Sequence, residues 1–170
     1  MTEHKEVYVL DSTALIDINK HFPRQNRKLR QLAQGGYVKI PEGVFREIKR
    51  KTDMLSNTLK SWSKSNPDLI IQISGMQILA NKLVSIENKY GEKILVANRP
   101  YSGLWKSPSG RKSADGQVIA VAKVLGCTAV SDDRAIRLAC MLEGVPCIGW
   151  TEFARRTGFI NPQLGLFSHL

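Results

Sequence analysis

Four acidic side chains have the chemical type and the placement in the chain to act together. They are Asp11, Glu47, Asp115 and Asp133. Carboxylates that share one site repel one another unless a cation neutralises them. Hard oxygen ligands suit Mg²⁺ or Mn²⁺, which keep several waters and are completed by substrate phosphates. Such a cation lowers the pKa of a bound water and stabilises the charge that develops on a phosphodiester.

Two of the four acids stand just after predicted β-strands. The apolar, β-rich run Glu6–Leu10 stops at Asp11, and the predicted strand Cys127–Val130 ends shortly before Asp133. Parallel strands point their carboxyl ends the same way, and sites in open α/β sheets form outside those ends. We therefore expect Asp11 and Asp133 at one edge of the sheet.

The other two acids lie in predicted helices. Asp115 stands in the first turn of a helix over residues 114–125, which Ser113 is expected to cap and Gly126 to end. The apolar sequence after Asp115 should pack that helix on the sheet and fix the direction of its side chain. Glu47, in a helix over residues 42–51, is expected to reach the same edge.

Each acid also has a simpler local interpretation. Asp11 can cap the helix that follows it, and one of Asp132 and Asp133 can do the same for the next. Asp115 can merely complement the helix dipole, and Glu47 can be a solvated helix residue. The functional interpretation depends on the combination and order of the acids.

The remaining pattern alternates between strands and helices. Further helices are expected at residues 24–34, 53–63, 75–90, from 133 to about 143, and 151–156, and further strands at 37–40 and 145–148. Residues 69–73 are either a short strand or an extended lead-in to the next helix. A long surface loop is expected at 98–109 and a tail at 158–170. This alternation predicts an α/β fold with a mainly parallel sheet, built as a single domain over residues 1–157.

Composition narrows the class of protein. The chain has 170 residues, 42% of them hydrophobic, and no apolar run long enough to span a bilayer or serve as a signal segment, so a cytoplasmic protein is expected. Its net charge of +10 favours a polyanionic partner such as nucleic acid. The cysteines, Cys127, Cys140 and Cys147, are too far apart for a zinc motif and are expected to be small core residues.

The ordered acids resemble the motifs of the PIN-domain family. That family has an Asp after its first strand, matched in Val9–Ile16, and a Glu in a short helix after the second strand, matched in Val44–Ile48. It has an Asp that opens a helix of small residues, matched in Ala114–Ala120. It then has Ser/Thr-x-Asp after the next strand, matched in Ser131–Asp133. The resemblance covers residues 6–150.

This resemblance implies a three-layer α/β/α fold and a Mg²⁺- or Mn²⁺-dependent endoribonuclease. Its metal-binding and catalytic residues would be Asp11, Glu47, Asp115 and Asp133, which would also orient the attacking water. Ser131 and Thr13 would support the site by hydrogen bonding. Many small members resemble the VapC-type toxins of type II toxin–antitoxin pairs, which implies an antitoxin partner and a homodimer. The chain departs from the smallest members by a longer stretch over residues 53–111, and Asp132 leaves open which Asp of its pair is the ligand.

Basic and aromatic residues near the motifs are candidate nucleic-acid contacts. The basic candidates are Arg46, Lys49, Arg50, Lys51, Arg111, Lys112, Arg134 and Arg137. A phosphate backbone is recognised by such charges without regard to sequence. Tyr101 and Trp105, in the predicted loop, either stack on a base or anchor the loop in the core.

Other phosphate enzymes fit the sequence less well. A haloacid-dehalogenase-like phosphatase would have Asp at position 13, where this chain has Thr13. The chain has neither a P-loop motif nor a glycine-rich dinucleotide turn after the first strand. A DNA-directed nuclease fits less well than a ribonuclease, because the short chain has little room to grip a duplex. The alternative that stays open is a PIN-like module that binds RNA or protein without cutting.

Overall fold

A computed structural model describes residues 5–51, 53–105 and 114–160 of the chain. The predicted helix cap at Ser113, the predicted phosphate contacts at Arg111 and Lys112, residues 106–109 of the predicted loop and residues 161–170 of the predicted tail lie outside these ranges.

The centre of the fold is a five-stranded sheet in which every neighbouring pair of strands is parallel. In spatial order the strands are β3 (Ile70–Ile71), β2 (Val38–Pro41), β1 (Tyr8–Leu10), β6 (Thr128–Val130) and β7 (Cys147–Ile148). Leu10 at the end of β1 lies beside Val130 at the end of β6. The prediction of an α/β fold with a parallel sheet is confirmed.

Helices cover both faces of this sheet. They are α1 (Ser12–His21), α2 (Asn26–Gln34), α3 (Glu42–Lys49), α4 (Met54–Ser65), α5 (Gln77–Tyr90), α6 (Asp115–Leu125), α7 (Arg134–Glu143) and α8 (Trp150–Arg156). The chain moves outward from β1 to β3 in one direction and from β6 to β7 in the other. Because parallel crossovers are right-handed, these two directions place their helices on opposite faces. The three-layer α/β/α arrangement follows.

The strand order reverses between β1, the central strand of the sheet, and its neighbour β6. In doubly wound sheets such a reversal opens a crevice outside the carboxyl ends of the strands, because the connections on its two sides turn to opposite faces. Asp11 follows β1 and Ser131 follows β6. The topology therefore brings two of the predicted motifs to the one place where an open sheet forms a ligand site.

Helix α6 is the central helix of one layer. Val118, Ile119 and Val121 are fully buried, and the helix contacts strands β1, β2 and β6. A helix that is apolar on nearly all sides is stable only when it is buried, because each exposed Val or Ile would lose its transfer free energy from water. This burial fixes the start of α6, and with it Asp115, relative to the carboxyl edge of the sheet.

The prediction of a loop over residues 98–109 is wrong for residues 99–102, which form a strand. Strands β4 (Lys93–Val96) and β5 (Arg99–Ser102) form an antiparallel hairpin outside the main sheet. Its two turn residues, Ala97 and Asn98, have φ angles of 47° and 64°. The turn lacks the Asn-Gly or Asp-Gly pair that identifies such hairpins in a sequence. Pro100 also argues against a strand, although an edge strand tolerates it.

The packed structure continues past the predicted domain boundary at residue 157. Phe159 is buried, and its ring lies 5.6 Å from that of Phe22 and 6.2 Å from that of Phe153. Phe153 in turn meets the ring of Tyr8 edge-on at 5.0 Å. Phe159 after α8 therefore belongs to the core, and Ile160, the last described residue, packs against it.

Glu143 joins α7 to α5 through a charged hydrogen-bond cluster. Its Oε1 accepts hydrogen bonds from Tyr90 Oη at 2.7 Å and Lys89 Nζ at 3.0 Å, and its side chain is 8% exposed. Burial opposes ionisation of Glu143, but the hydrogen bonds from Tyr90 and Lys89 outweigh it and hold its pKa below the ordinary value of 4.5. Its stabilising contribution is thus present above pH 4.5 and lost as the pH falls through the lowered pKa.

We expect Glu143→Gln to lower the free energy of unfolding at pH 7 by about 1–2 kcal/mol, because charge-assisted hydrogen bonds are lost. The difference from wild type should shrink below about pH 4.5. Urea unfolding of both proteins across a pH series measures it, with Tyr90→Phe as a control that removes one donor and keeps the carboxylate. A difference that does not change with pH would show that the charge of Glu143 contributes nothing.

Candidate functional site

Asp11 is a buried carboxylate at the end of β1, with only 3% of its surface exposed. Its Oδ1 accepts a hydrogen bond from Ala14 N at 2.6 Å, which makes Asp11 the N-cap of α1. Its Oδ2 accepts a hydrogen bond from Ser131 Oγ at 2.5 Å. The capping role expected from the sequence is therefore correct, and it occupies only one of the two oxygens.

The electrostatic environment of Asp11 disfavours its charge. Burial raises its pKa above the ordinary value, and the negative charges of Asp115 and Asp132 raise it further. The hydrogen bonds from Ser131 and Ala14 act in the opposite direction but do not cancel the rise. A protein that needed Asp11 only as a helix cap would gain nothing from placing other carboxylates near it.

Ser131 connects Asp11 to the start of α7. Its Oγ donates to Asp11 and accepts a hydrogen bond from Asp133 N at 3.0 Å. The Oδ1 of Asp133 accepts hydrogen bonds from Ala135 N at 2.9 Å and Ile136 N at 3.2 Å, so Asp133 is the N-cap of α7. Ser131 therefore holds the Asp11 carboxylate and the start of α7 together, and its supporting role in catalysis stays a prediction.

Asp132 faces a different set of partners from Asp133. Its Oδ2 accepts a hydrogen bond from Trp150 N at 3.1 Å, and its Oδ1 lies 3.8 Å from a guanidinium nitrogen of Arg137. Its side chain is 47% exposed. Asp132 thus ties the start of α8 to the β6–α7 turn, while its charge still acts on Asp11.

Helices α3 and α6 exchange two hydrogen bonds, each from a backbone N–H at the start of one helix to a side chain of the other. Glu47 Oε1 accepts a hydrogen bond from Ala114 N at 3.1 Å, and Gln117 Oε1 accepts one from Gly43 N at 2.8 Å. A Cβ added to Gly43 would lie 2.7 Å from the Gln117 side chain, so the close approach depends on this glycine. The exchange places Glu47 next to the residue that precedes Asp115. The backbone N–H of Ala114 thus has a carboxylate acceptor from another helix.

The structure therefore brings the four predicted acids to one region through two linked groups. Hydrogen bonds connect Asp11 and Asp133 through Ser131, and Glu47 to the start of α6 through Ala114. The electrostatic effect of Asp115 on Asp11 joins the two groups. The donors are carboxylate oxygens, which are the ligands that Mg²⁺ and Mn²⁺ prefer. Within residues 5–51, 53–105 and 114–160, no three of these acids, or of His and Cys side chains, already converge on one metal-sized position.

A cleft of about 380 Å³ opens beside Glu47. Its polar lining is formed by Arg46, Glu47, Arg50, Glu87 and Gln117. Glu87 of α5 is 8% exposed and was not selected from the sequence, because it stands in a plain helical pattern without a neighbouring motif. A buried acid in a helix is recognisable only when the packing partner of that helix, here α6, is known.

The basic candidates among the described residues lie on the surface. Arg46, Lys49, Arg50 and Arg134 are all exposed. Arg46 lies 3.7 Å from Glu42, and Lys49 lies over the ring of Phe45. These positions suit contacts with a phosphate backbone, which recognises charge rather than base identity.

The aromatic and hydroxyl candidates have more local roles. The guanidinium carbon of Arg134 lies over the ring of Tyr101 in β5, 4.7 Å from the ring centroid. Tyr101 also packs against the core. Trp105 also packs against the core, over Gly91. Both contacts agree with the anchoring interpretation of these residues. Thr13 is exposed in the first turn of α1, so its supporting role stays a prediction.

The parallel sheet with helices on both faces is a three-layer α/β/α fold, which is the architecture that the resemblance to the PIN-domain family implies. The chain belongs to the family described as "Domain of unknown function (DUF4411)", whose sequence profile matches residues 8–160. No curated protein matches the chain at a significant level. None of the described helices is both long and apolar enough to cross a membrane.

Several solved structures are similar to this chain at low sequence identity. PAE2754 from Pyrobaculum aerophilum is 12% identical, with 91% of this chain and 98% of that chain covered and a TM-score of 0.46. VapBC2 from Rickettsia felis, bound to a DNA fragment from its promoter, is 16% identical, with 85% and 98% covered and a TM-score of 0.47. FitAB bound to an IR36 DNA fragment is 15% identical, with 85% and 95% covered and a TM-score of 0.48. Similarity at this level establishes no activity.

Proposed function

We propose that the chain is a Mg²⁺- or Mn²⁺-dependent endoribonuclease that hydrolyses RNA phosphodiester bonds. The observation that carries the proposal is the buried carboxylate of Asp11, placed where the strand order reverses and next to the charges of Asp115 and Asp132. Clustered carboxylates of this kind are costly in the folded protein unless a cation compensates them. A folded protein is expected to keep such an unfavourable cluster where its function requires the carboxylates.

The residues that would hold the cation are Asp11, Glu47, Asp115 and Asp133. When bound, the cation would activate a water and stabilise negative charge on the phosphodiester. Ser131 holds the Asp11 carboxylate in a fixed orientation through its hydroxyl, and the same hydroxyl accepts the backbone N–H of Asp133. The two hydrogen bonds between α3 and α6 likewise hold the Glu47 carboxylate in a fixed position relative to the start of α6.

RNA would be held by the basic surface around the acids. The exposed Arg46 and Arg50 border the cleft beside Glu47, and Arg134 is the first residue of α7 after the Asp133 cap. The net charge of +10 supports binding to a polyanion. A single strand fits this surface better than a duplex, since the chain is short for an enzyme that grips both strands.

We further propose that the protein is the toxin of a type II toxin–antitoxin pair, with an antitoxin protein that covers the acidic site and with a homodimer as its working form. Support comes from the resemblance of its four motifs to the PIN-domain family, many of whose small members resemble VapC-type toxins. Expression of the chain alone should then stop growth, and co-expression of a protein encoded beside it should restore growth. Growth arrest that Asp11→Asn also produces would contradict a toxin that acts by cleavage.

The test of the activity is incubation of the purified protein with a mixed pool of structured and single-stranded RNAs. Parallel reactions contain Mg²⁺, Mn²⁺ or EDTA, and products are mapped at their ends. We expect cleavage with a metal and none with EDTA. RNA binding without cleavage under every metal condition would instead favour the non-catalytic PIN-like module.

The pair Asp132 and Asp133 provides a further prediction. We expect Asp133→Asn to reduce RNA cleavage about 10-fold or more beyond the effect of Asp132→Asn. Asp133 is linked through Ser131 to Asp11, whereas Asp132 is already engaged by Arg137 and Trp150. Asn remains a good N-cap, so α7 should be preserved. The cleavage rates of both variants measure this difference. A larger loss of cleavage in Asp132→Asn than in Asp133→Asn would make Asp132 the ligand.

A further inference from the structure

Cys140 and Cys147 lie against each other behind the candidate site. Cys140 is in the last turn of α7 and Cys147 begins β7. The chain reverses between them at Gly144, which has a φ of 66°, and Val145 N donates to Cys140 O at 2.8 Å. The reversal brings the two thiols into side-chain contact.

The two thiols differ in access. Cys140 is fully buried, whereas Cys147 is half-buried at the edge of the core. Cys147 Sγ also lies 3.9 Å from the carbonyl oxygen of Ser131. Cys127, the third cysteine, is buried in the turn between α6 and β6, where its Sγ lies 3.7 Å from the carbonyl oxygen of Leu125.

We propose that Cys140 and Cys147 are a peroxide-reactive pair that forms a reversible intramolecular disulfide. Cys147 is the thiol that reacts first, because it is the more accessible, and Cys140 resolves the product. The Cys147 thiolate attacks one oxygen of hydrogen peroxide and becomes a sulfenic acid, while hydroxide leaves and takes up the thiol proton as water. The Cys140 thiol then attacks the sulfenic sulfur, which releases a second water and leaves the disulfide.

The surroundings favour this division of roles. The contact with Cys140 lowers the pKa of the Cys147 thiol, and Arg137 lowers it further, while burial and the charge of Asp11 act against them. The contact with Cys147 raises the pKa of Cys140, and burial adds to the rise. Thiolates rather than thiols attack peroxides, so the reactive and the resolving cysteine are distinguishable.

The experiment treats the full chain with a small excess of hydrogen peroxide, removes the peroxide, and alkylates the remaining thiols after denaturation. We expect alkylated thiols to fall from three to one, with a mass loss of about 2 Da per chain before alkylation. Peptide mapping should show Cys140 joined to Cys147, and dithiothreitol should restore all three thiols. This readout requires no RNA cleavage, so it stands apart from the proposed function.

Variants test the order of the steps. Cys140→Ser should accumulate a sulfenic acid at Cys147 that a dimedone reagent traps, and Cys147→Ser should give neither product. Cys127→Ser is the matched control and should form the same disulfide as the wild type. Three alkylatable thiols after peroxide, a bridge that includes Cys127, or disulfide-linked dimers would each overturn the proposal, and the wild-type mapping decides even if a variant fails to fold.

Discussion

Replacement of Asp11 by Asn is expected to reduce metal-dependent RNA cleavage about 10³-fold or more while the protein stays folded. The amide oxygen can still accept the hydrogen bond from Ala14 N, because Asn is as good an N-cap as Asp. What disappears is the negative charge beside Asp115 and Asp132, and the amide nitrogen that replaces Oδ2 donates to Ser131 Oγ instead of accepting from it. The rate of cleavage is measured with saturating Mn²⁺ and compared with wild type.

The same variant should be at least as stable as the wild type without metal. Burial and neighbouring charges raise the pKa of Asp11, so its ionised form is a cost to the folded state at neutral pH. Removing about 1 kcal/mol of such a cost would raise the melting temperature by roughly 2–4 °C in a domain of this size. Thermal unfolding in EDTA measures it.

Asp53→Asn is the matched control for Asp11→Asn. Asp53 caps α4 by accepting a hydrogen bond from Ser56 N at 2.9 Å, which is the same local role that Asp11 has in α1. It should keep wild-type cleavage. An equal loss of cleavage in both variants would point to an effect on folding, and full activity in Asp11→Asn would remove Asp11 from the site.

Asp115→Asn is expected to have the second largest effect. We expect cleavage to fall about 10²–10³-fold and the metal concentration for half-maximal activity to rise about 10-fold or more. The reason is that Asp115 is fixed by the burial of α6 and acts electrostatically on Asp11, so both should share one cation. A Mn²⁺ titration of cleavage and calorimetric binding of Mn²⁺ measure the two effects independently.

Asp68→Asn is the control for this variant, since it removes the same charge from the first turn of a short helix, Pro67–Leu69. It should leave both the rate and the metal requirement unchanged. If calorimetry gave wild-type Mn²⁺ affinity for Asp115→Asn, Asp115 would not be a ligand, whatever its effect on the rate.

Local patterns were sufficient to predict much of the fold. A short apolar run that ends in Asp11 and passes into a helical pattern identifies a strand, a cap and a helix together. The glycines after α6 and α7, Gly126 and Gly144, have positive φ angles of 66° and mark both helix ends as predicted. Elements of this kind are predictable because nearby residues determine their hydrogen bonds and dihedral angles.

The hairpin β4–β5 could not be predicted in the same way. Its turn uses Ala97 and Asn98 rather than a glycine pair, and Pro100 stands inside a strand. Leu104 N and Trp105 N donate to Tyr90 O and Gly91 O, so the segment after the hairpin is held by the end of α5. Contacts distant in sequence stabilise a backbone that local propensity does not favour.

The sequence by itself determined which side chains could form the acidic site, because the identity of Asp11, Glu47, Asp115 and Asp133 and their positions at strand and helix ends are local properties. Only the tertiary structure decided how they are held: Ser131 between Asp11 and Asp133, and the exchange between α3 and α6 that orients Glu47. It also brought Glu87 to the cleft and joined the thiols of Cys140 and Cys147. The physical reason is that burial, charge repulsion and side-chain hydrogen bonds depend on distances that arise only when separate elements pack together.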